Sequence, residues 1–108
     1  MNNKLLSLLG IARRAGRLTM GFDAAAESMK KGETRLLLLA DDLSEKSKRS
    51  IGYVAQQNGV EVLMTGCTMI DTGNAVGRKQ TGIVSVNDIG FAKKMKDLCT
   101  ENSQEECI

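Results

Sequence analysis

The feature that most limits the fold is the run RLLLLA at residues 35–40. It is apolar without polar alternation and too short for a helix. That pattern suits a strand buried on both faces, so something must cover it from two sides. Amphipathic segments supply the cover. Asn2 or Asn3 can cap a helix over residues 4–15, with Leu5, Leu8, Leu9 and Ala12 inward and Ile11 and Ala15 widening the stripe. Residues 21–32, GFDAAAESMKKG, predict a second helix bounded by glycines, with Asp23 as its cap and Phe22, Ala25, Ala26 and Met29 on one face. Further helices are expected over 45–58 (capped by Ser44), 68–76 (stopped at Gly77) and 89–98 (capped by Asn87 or Asp88). Short strands are expected at 17–20, at the edge, and at 60–64 and 83–86. Alternating helices and strands predict an α/β fold with a mixed sheet covered on both faces.

A chain of 108 residues is long enough for one domain with a core of its own. The domain is expected over residues 1–96. Residues 97–108 form the helix end and an acidic, flexible tail, since apolar periodicity fades after Leu98. Charge follows the same division. The net +2 splits into +6 over residues 1–96 and −4 over residues 97–108, where Asp97, Glu101, Glu105 and Glu106 meet no basic residue. A basic body suits an acidic partner such as nucleic acid, and equally a solvated surface. With 3% aromatics, base stacking on Phe, Tyr or Trp is not a feature of this chain.

Several chemistries have no residues to run them. There is no histidine, which removes imidazole acid–base catalysis and imidazole metal ligation. Cys67, Cys99 and Cys107 fit no zinc spacing and read as thiols in a reducing compartment. No phosphate-cradling G-x-x-x-x-G-K-[ST] occurs. Asp41 and Asp42 read as turn and cap residues before they read as metal ligands. No apolar stretch reaches membrane-spanning length, and no signal peptide is visible because Arg13 and Arg14 interrupt the first apolar run. These points predict a soluble cytoplasmic protein without catalytic activity, metal or cofactor.

Two basic groups invite a functional reading. Arg13, Arg14 and Arg17 cluster where the first helix ends. They serve either as favourable charges at a helix C-terminus or as phosphate contacts. Gly77, Arg78, Lys79 and Gln80 form a polar, basic loop before the strand at Ile83.

The stretches LLGIARRAGRLTMGFDAAAESMKKGETRLLLLADDLSEK and TMIDTGNAVGRKQTGIVSVNDIGFAKK resemble the ribosomal L7Ae/L30e family of kink-turn RNA-binding proteins, and within it the bacterial YlxQ-type branch. The order of motifs carries the resemblance: ARRAG-x-L, two glycines with ten residues between them, the apolar strand with Ala-Asp-Asp, G-x-A-V-G and D-x-G-F-A. The resemblance implies a three-layer α/β/α sandwich around a four-stranded mixed sheet. It implies that Gly21, Phe22 and Asp23 meet the sheared guanines of a kink-turn, with Glu27 on the same helix and Lys31 toward phosphate. It places Gly77, Arg78, Lys79, Gln80 and Ile83 over the bulge. The sequence departs from the family's usual residues at Asp23, Ala24 and Glu27, where an amide, a carboxylate and a cation are common. The expected function is recognition of a structured, ribosome-associated RNA by a monomer, with no membrane or small-molecule partner. The alternative is a protein-interaction module on the same scaffold.

Overall fold

The computed structural model describes the backbone of residues 3–106 and the side chains of residues 3–100. The first half of the chain runs α1 (Asn3–Arg14), β1 (Leu18–Met20), α2 (Phe22–Lys30), β2 (Leu36–Leu39) and α3 (Glu45–Gln57). It continues through β3 (Val62–Met64), α4 (Met69–Val76), β4 (Ile83–Val86) and α5 (Ile89–Glu106). The sheet order is β1-β4-β2-β3. Strands β2 and β3 are parallel, and β4 runs antiparallel to both β1 and β2. The sheet is therefore mixed, as expected, with β1 at an edge.

All four residues of β2 are buried, which is the outcome the unalternated leucines demand. Leu36 and Leu38 join Leu5, Leu9, Val84, Val86 and Met95 in the core under α1, α4 and α5. Leu37 and Leu39 face the opposite way, into the core under α2 and α3 with Met29, Ile51 and Ile83. The period of two along a strand thus serves two cores at once. Burying each such leucine contributes about 1.5–3 kcal/mol relative to leaving it in water. The result is a three-layer α/β/α sandwich.

Local chemistry fixes the joints. Gly16, at φ 72°, turns the chain out of α1 while the Arg17 amide bonds back to the Ala12 carbonyl at 3.0 Å. Ser44 caps α3 by accepting from the Ser47 amide at 3.2 Å. Thr68 caps α4 in the same way from Asp71, at 3.1 Å. Asp88 caps α5 by accepting from Phe91 at 3.0 Å. Asp41 and Asp42 do more than turn the chain. Asp41 Oδ1 accepts from the Gly66 amide at 3.0 Å, and Asp42 Oδ1 from the Met69 amide at 2.8 Å. They bind the loop after β2 to the loop that starts α4.

Several sequence expectations are corrected. Ile11 and Ala15 point to solvent, because α1 rests on the sheet through the narrower stripe Leu5, Leu9 and Ala12. Asn3 is already helical, so it is not the cap of α1; Asn2 lies outside the described residues. Helix α5 passes the expected end at Leu98 and continues to Glu106. Residues 107 and 108, with Cys107, also lie outside the described part.

Candidate nucleic-acid interface

The start of α2 and the loop before β4 meet at one end of the sheet. Gly21 caps α2 with φ 95° and ψ 162°, a conformation open essentially to glycine alone. Its amide donates to the Ile83 carbonyl at 3.0 Å, and its carbonyl accepts from Ala25 at 3.0 Å. No side chain caps this helix end. Asp23, expected as the cap, lies one residue inside the first turn, where its charge favours the dipole without bonding the cap site. Phe22 does not join the apolar face; it is exposed at the helix start beside Asp23.

The loop at residues 77–82 is held from below and from the side. Gly77 exits α4 in the left-handed region at φ 76°. The Arg78 amide donates to the Gly73 carbonyl at 2.8 Å, and the Thr81 amide to the Met69 carbonyl at 3.0 Å. The Arg78 guanidinium reaches across to the Met20 carbonyl at 3.5 Å, the residue before Gly21. Lys79 and Gln80 are exposed at the tip. Gly21, Phe22, Asp23, Gly77, Arg78, Lys79 and Gln80 therefore belong to one surface with a helix N-terminus and two cations, an arrangement that suits anionic oxygens.

Three expected members sit elsewhere. Ile83 is in β4 and only 5% exposed; it serves the surface through its carbonyl, since its side chain fills the core under α2. Glu27 and Lys31 lie roughly 9 and 15 Å along the axis of α2 from Gly21, at a rise of about 1.5 Å per residue. They pair at 3.1 Å. The Glu27 carboxylate, first as a hydrogen-bond acceptor and then as an opposite charge, holds the Lys31 ammonium above its ordinary 10.5. Arg13, Arg14 and Arg17 stand at the far end of β1. Four residues at about 3.3 Å each separate Arg17 from Gly21, roughly 13 Å.

Residues to which the sequence assigned no part in the site support the surface. Gly73 gives room for the loop backbone, and the Met20 carbonyl holds Arg78. Beneath α2 lies a polar network. Asn87 Oδ1 accepts from Ser28 at 3.0 Å and Ser85 at 2.8 Å, and Asn87 Nδ2 donates to Thr19 at 2.7 Å. Thr34 joins through Ser28 and Ser85 at 3.0 and 2.7 Å. Serines and threonines far apart in sequence give no local signal of such a network. No group of three or more metal-ligating side chains occurs among the described residues. Among the described residues no helix is long and apolar enough to cross a membrane.

Comparison with known proteins gives one consistent result. Residues 3–96 match the family model described as the ribosomal protein L7Ae/L30e/S12e/Gadd45 family. The RNA-binding protein YlxQ of Enterococcus faecium is 30% identical over 97 residues, covering 88% of this chain and 90% of that protein. The large ribosomal subunit protein eL30 of Dictyostelium discoideum is 26% identical over 85 residues, covering 78% and 76%. Among solved structures, a protein of unknown function from Bacillus halodurans C superposes with a TM-score of 0.83 at 28% identity, covering 90% of this chain and 97% of that one. A 15.5 kD RNA-binding protein of Giardia lamblia shares the fold, with a TM-score of 0.71 at 15% identity over 91% and 83% of the two chains.

Proposed function

The chain belongs to the ribosomal protein L7Ae/L30e/S12e/Gadd45 family, and on that premise we propose that it is a non-catalytic, cytoplasmic protein that binds a structured, ribosome-associated RNA as a monomer. The RNA is of the kink-turn type. The observation that carries this reading is the 3.0 Å bond from the Gly21 amide to the Ile83 carbonyl. It sets the uncapped start of α2 beside the basic loop, with Arg78 spanning the gap to Met20. Amides and the Asp23 carboxylate can address base edges, while Arg78 and Lys79 can neutralise phosphates at the bulge. The relatives named as RNA-binding and ribosomal proteins support the class of partner.

A second reading keeps the scaffold and changes the partner. Glu27 puts a carboxylate on the exposed side of α2 and occupies Lys31. A rim so neutralised suits a protein partner better than a phosphate backbone.

The test is filter binding of the full chain to a kink-turn RNA and to a control whose sheared G·A pairs are replaced by Watson–Crick pairs. Tenfold or greater preference for the kink-turn, lost in Arg78→Ala with Lys79→Ala, is expected. Equal affinity for both RNAs withdraws the kink-turn, and no binding to either leaves the protein-interaction reading.

A further inference from the structure

The arginines at the end of α1 cannot complete the surface just described, because they occupy the other end of the sheet. We propose that Arg13, Arg14, Arg17 and Arg35, with Lys93, form a second phosphate-binding surface that holds an RNA backbone segment other than the one at the start of α2. The proposal rests on the RNA-binding reading but not on its kink-turn specificity.

The backbone brings these residues together from four elements. Arg17 leads into β1 and Arg35 into β2, with the end of β4 between them. The Asn87 amide donates to the Arg17 carbonyl at 2.9 Å, and the Arg35 amide to the Val86 carbonyl at 2.7 Å. Two strand spacings of about 4.8 Å put the two arginines roughly 10 Å apart. Arg13 and Arg14 project from the last turn of α1 beside them. Near the start of α5, Lys93 lines a recess of about 280 Å³ with Arg35 and Lys96.

The charge there is largely uncompensated. Lys96 is matched by Glu61 at 3.0 Å, and Arg17 stands 3.9 Å from Asp88. Asp88 also accepts from the Phe91 amide as the cap of α5. Among the described residues no carboxylate pairs with Arg13, Arg14, Arg35 or Lys93. The dipole of α1 favours Arg13 and Arg14, but it says nothing of Arg35, which precedes β2. Near the start of α5 the dipole opposes a cation, so Lys93 has no helix-electrostatic reason to be there. What the five share is exposure and sign.

Chemistry favours a phosphate backbone as the occupant. Guanidinium groups bind phosphate through two parallel N–H bonds, and four of the five cations are arginines. The patch offers Ile89 as its one large exposed apolar side chain among the described residues that line the recess, where a protein hot spot usually has several packed anchors. The roughly 13 Å of β1 between Arg17 and Gly21 exceeds a Debye length of about 8 Å in physiological salt, so the two surfaces act as separate charge clusters.

The experiment compares three probes with the full chain: a kink-turn RNA trimmed to its bulge and flanking pairs, a plain A-form RNA duplex, and poly-glutamate. Arg13→Ala, Arg14→Ala and Arg17→Ala combined should weaken duplex binding about tenfold and flatten the salt slope by about two units. Binding of the trimmed kink-turn should stay within about threefold. The corresponding Arg→Lys variant should keep the duplex slope. Arg35→Ala with Lys93→Ala, on separate elements, should repeat the loss, and circular dichroism reports folding. Unchanged duplex affinity and slope overturn the proposal even where the kink-turn binds well. An equal loss on both RNA probes also overturns it, because one continuous surface then suffices. So does a loss confined to binding of poly-glutamate, which assigns the patch to an acidic protein. Duplex loss without any kink-turn preference removes the kink-turn and leaves this surface standing.

Discussion

A β-carbon placed on Gly73 would stand 2.7 Å from the Lys79 carbonyl oxygen and 2.9 Å from that of Arg78. The obstacle is backbone, so no rotamer change relieves it. Helix α4 and the loop it precedes thus fit together only because residue 73 has no side chain. Gly73→Ala should cost about 1–3 kcal/mol by overpacking and push the 77–82 loop away from Met20. Urea denaturation should show the lower midpoint. RNA affinity should fall at salt concentrations where the variant remains fully folded. A folded variant with unchanged affinity would mean that the loop's position is irrelevant to binding.

Asn87 has a different importance. Its side chain accepts from Ser28 and Ser85 and donates to Thr19, so it links α2 to β4 and β1. Ser28 and Ser85 are buried, and Asn87→Ala leaves their hydroxyls without this acceptor. Unmet buried polar groups cost about 1–3 kcal/mol each. A total loss of about 2–4 kcal/mol is expected, read as a shift of the urea midpoint at constant m-value. A loss below about 0.5 kcal/mol would show that water replaces the amide freely.

How much of this was legible in the sequence follows from the range of the signals. The leucine run of β2 and the caps Ser44 and Asp88 are local, and the structure keeps them. Asp23 misleads as a cap because Gly21, at positive φ, starts the helix two residues sooner than a carboxylate rule expects. Ile11 misleads because apolar identity does not say how wide a stripe the sheet can cover. The partnership of Gly21 with Ile83 crosses about sixty residues and exists only once β1 and β4 are paired. For the same reason the two basic groups look alike in sequence and stand at opposite ends of the sheet. Family motifs pointed to two segments that the fold brings to one end of the sheet, while side-chain direction at Ile83 and pairing of Glu27 needed the fold.

Cys99 ties stability to alkaline pH. Burial, and then the charges of Cys67 and Asp41, push its thiol from 9.0 up to about 11. Between those values the unfolded chain has lost a proton that the folded protein still holds. Stability is therefore full below about pH 9 and falls as pH rises toward 11. Denaturation at several pH values, with Cys99→Ala as the reference, isolates this slope from other titrations. Identical slopes for the two proteins would place the shift elsewhere.

Glu27 offers the clearest test of which partner the α2 surface serves. It pairs with Lys31 at 3.1 Å, and both side chains are well exposed. An exposed i,i+4 pair is worth about 0.3–0.5 kcal/mol, so its loss should leave the fold intact. Glu27→Lys removes a repulsion for phosphate, adds a cation and frees Lys31. Affinity for a kink-turn RNA should rise, and the salt dependence should steepen by about one to two units as counterion release is restored. Filter binding at two salt concentrations, with circular dichroism for folding, measures both. Arg78→Ala with Lys79→Ala should move affinity and slope the opposite way. If Glu27→Lys gains nothing and the double alanine loses nothing while both stay folded, this surface does not hold RNA. Glu27 then belongs to the recognition of a protein, and its reversal should weaken that partner instead.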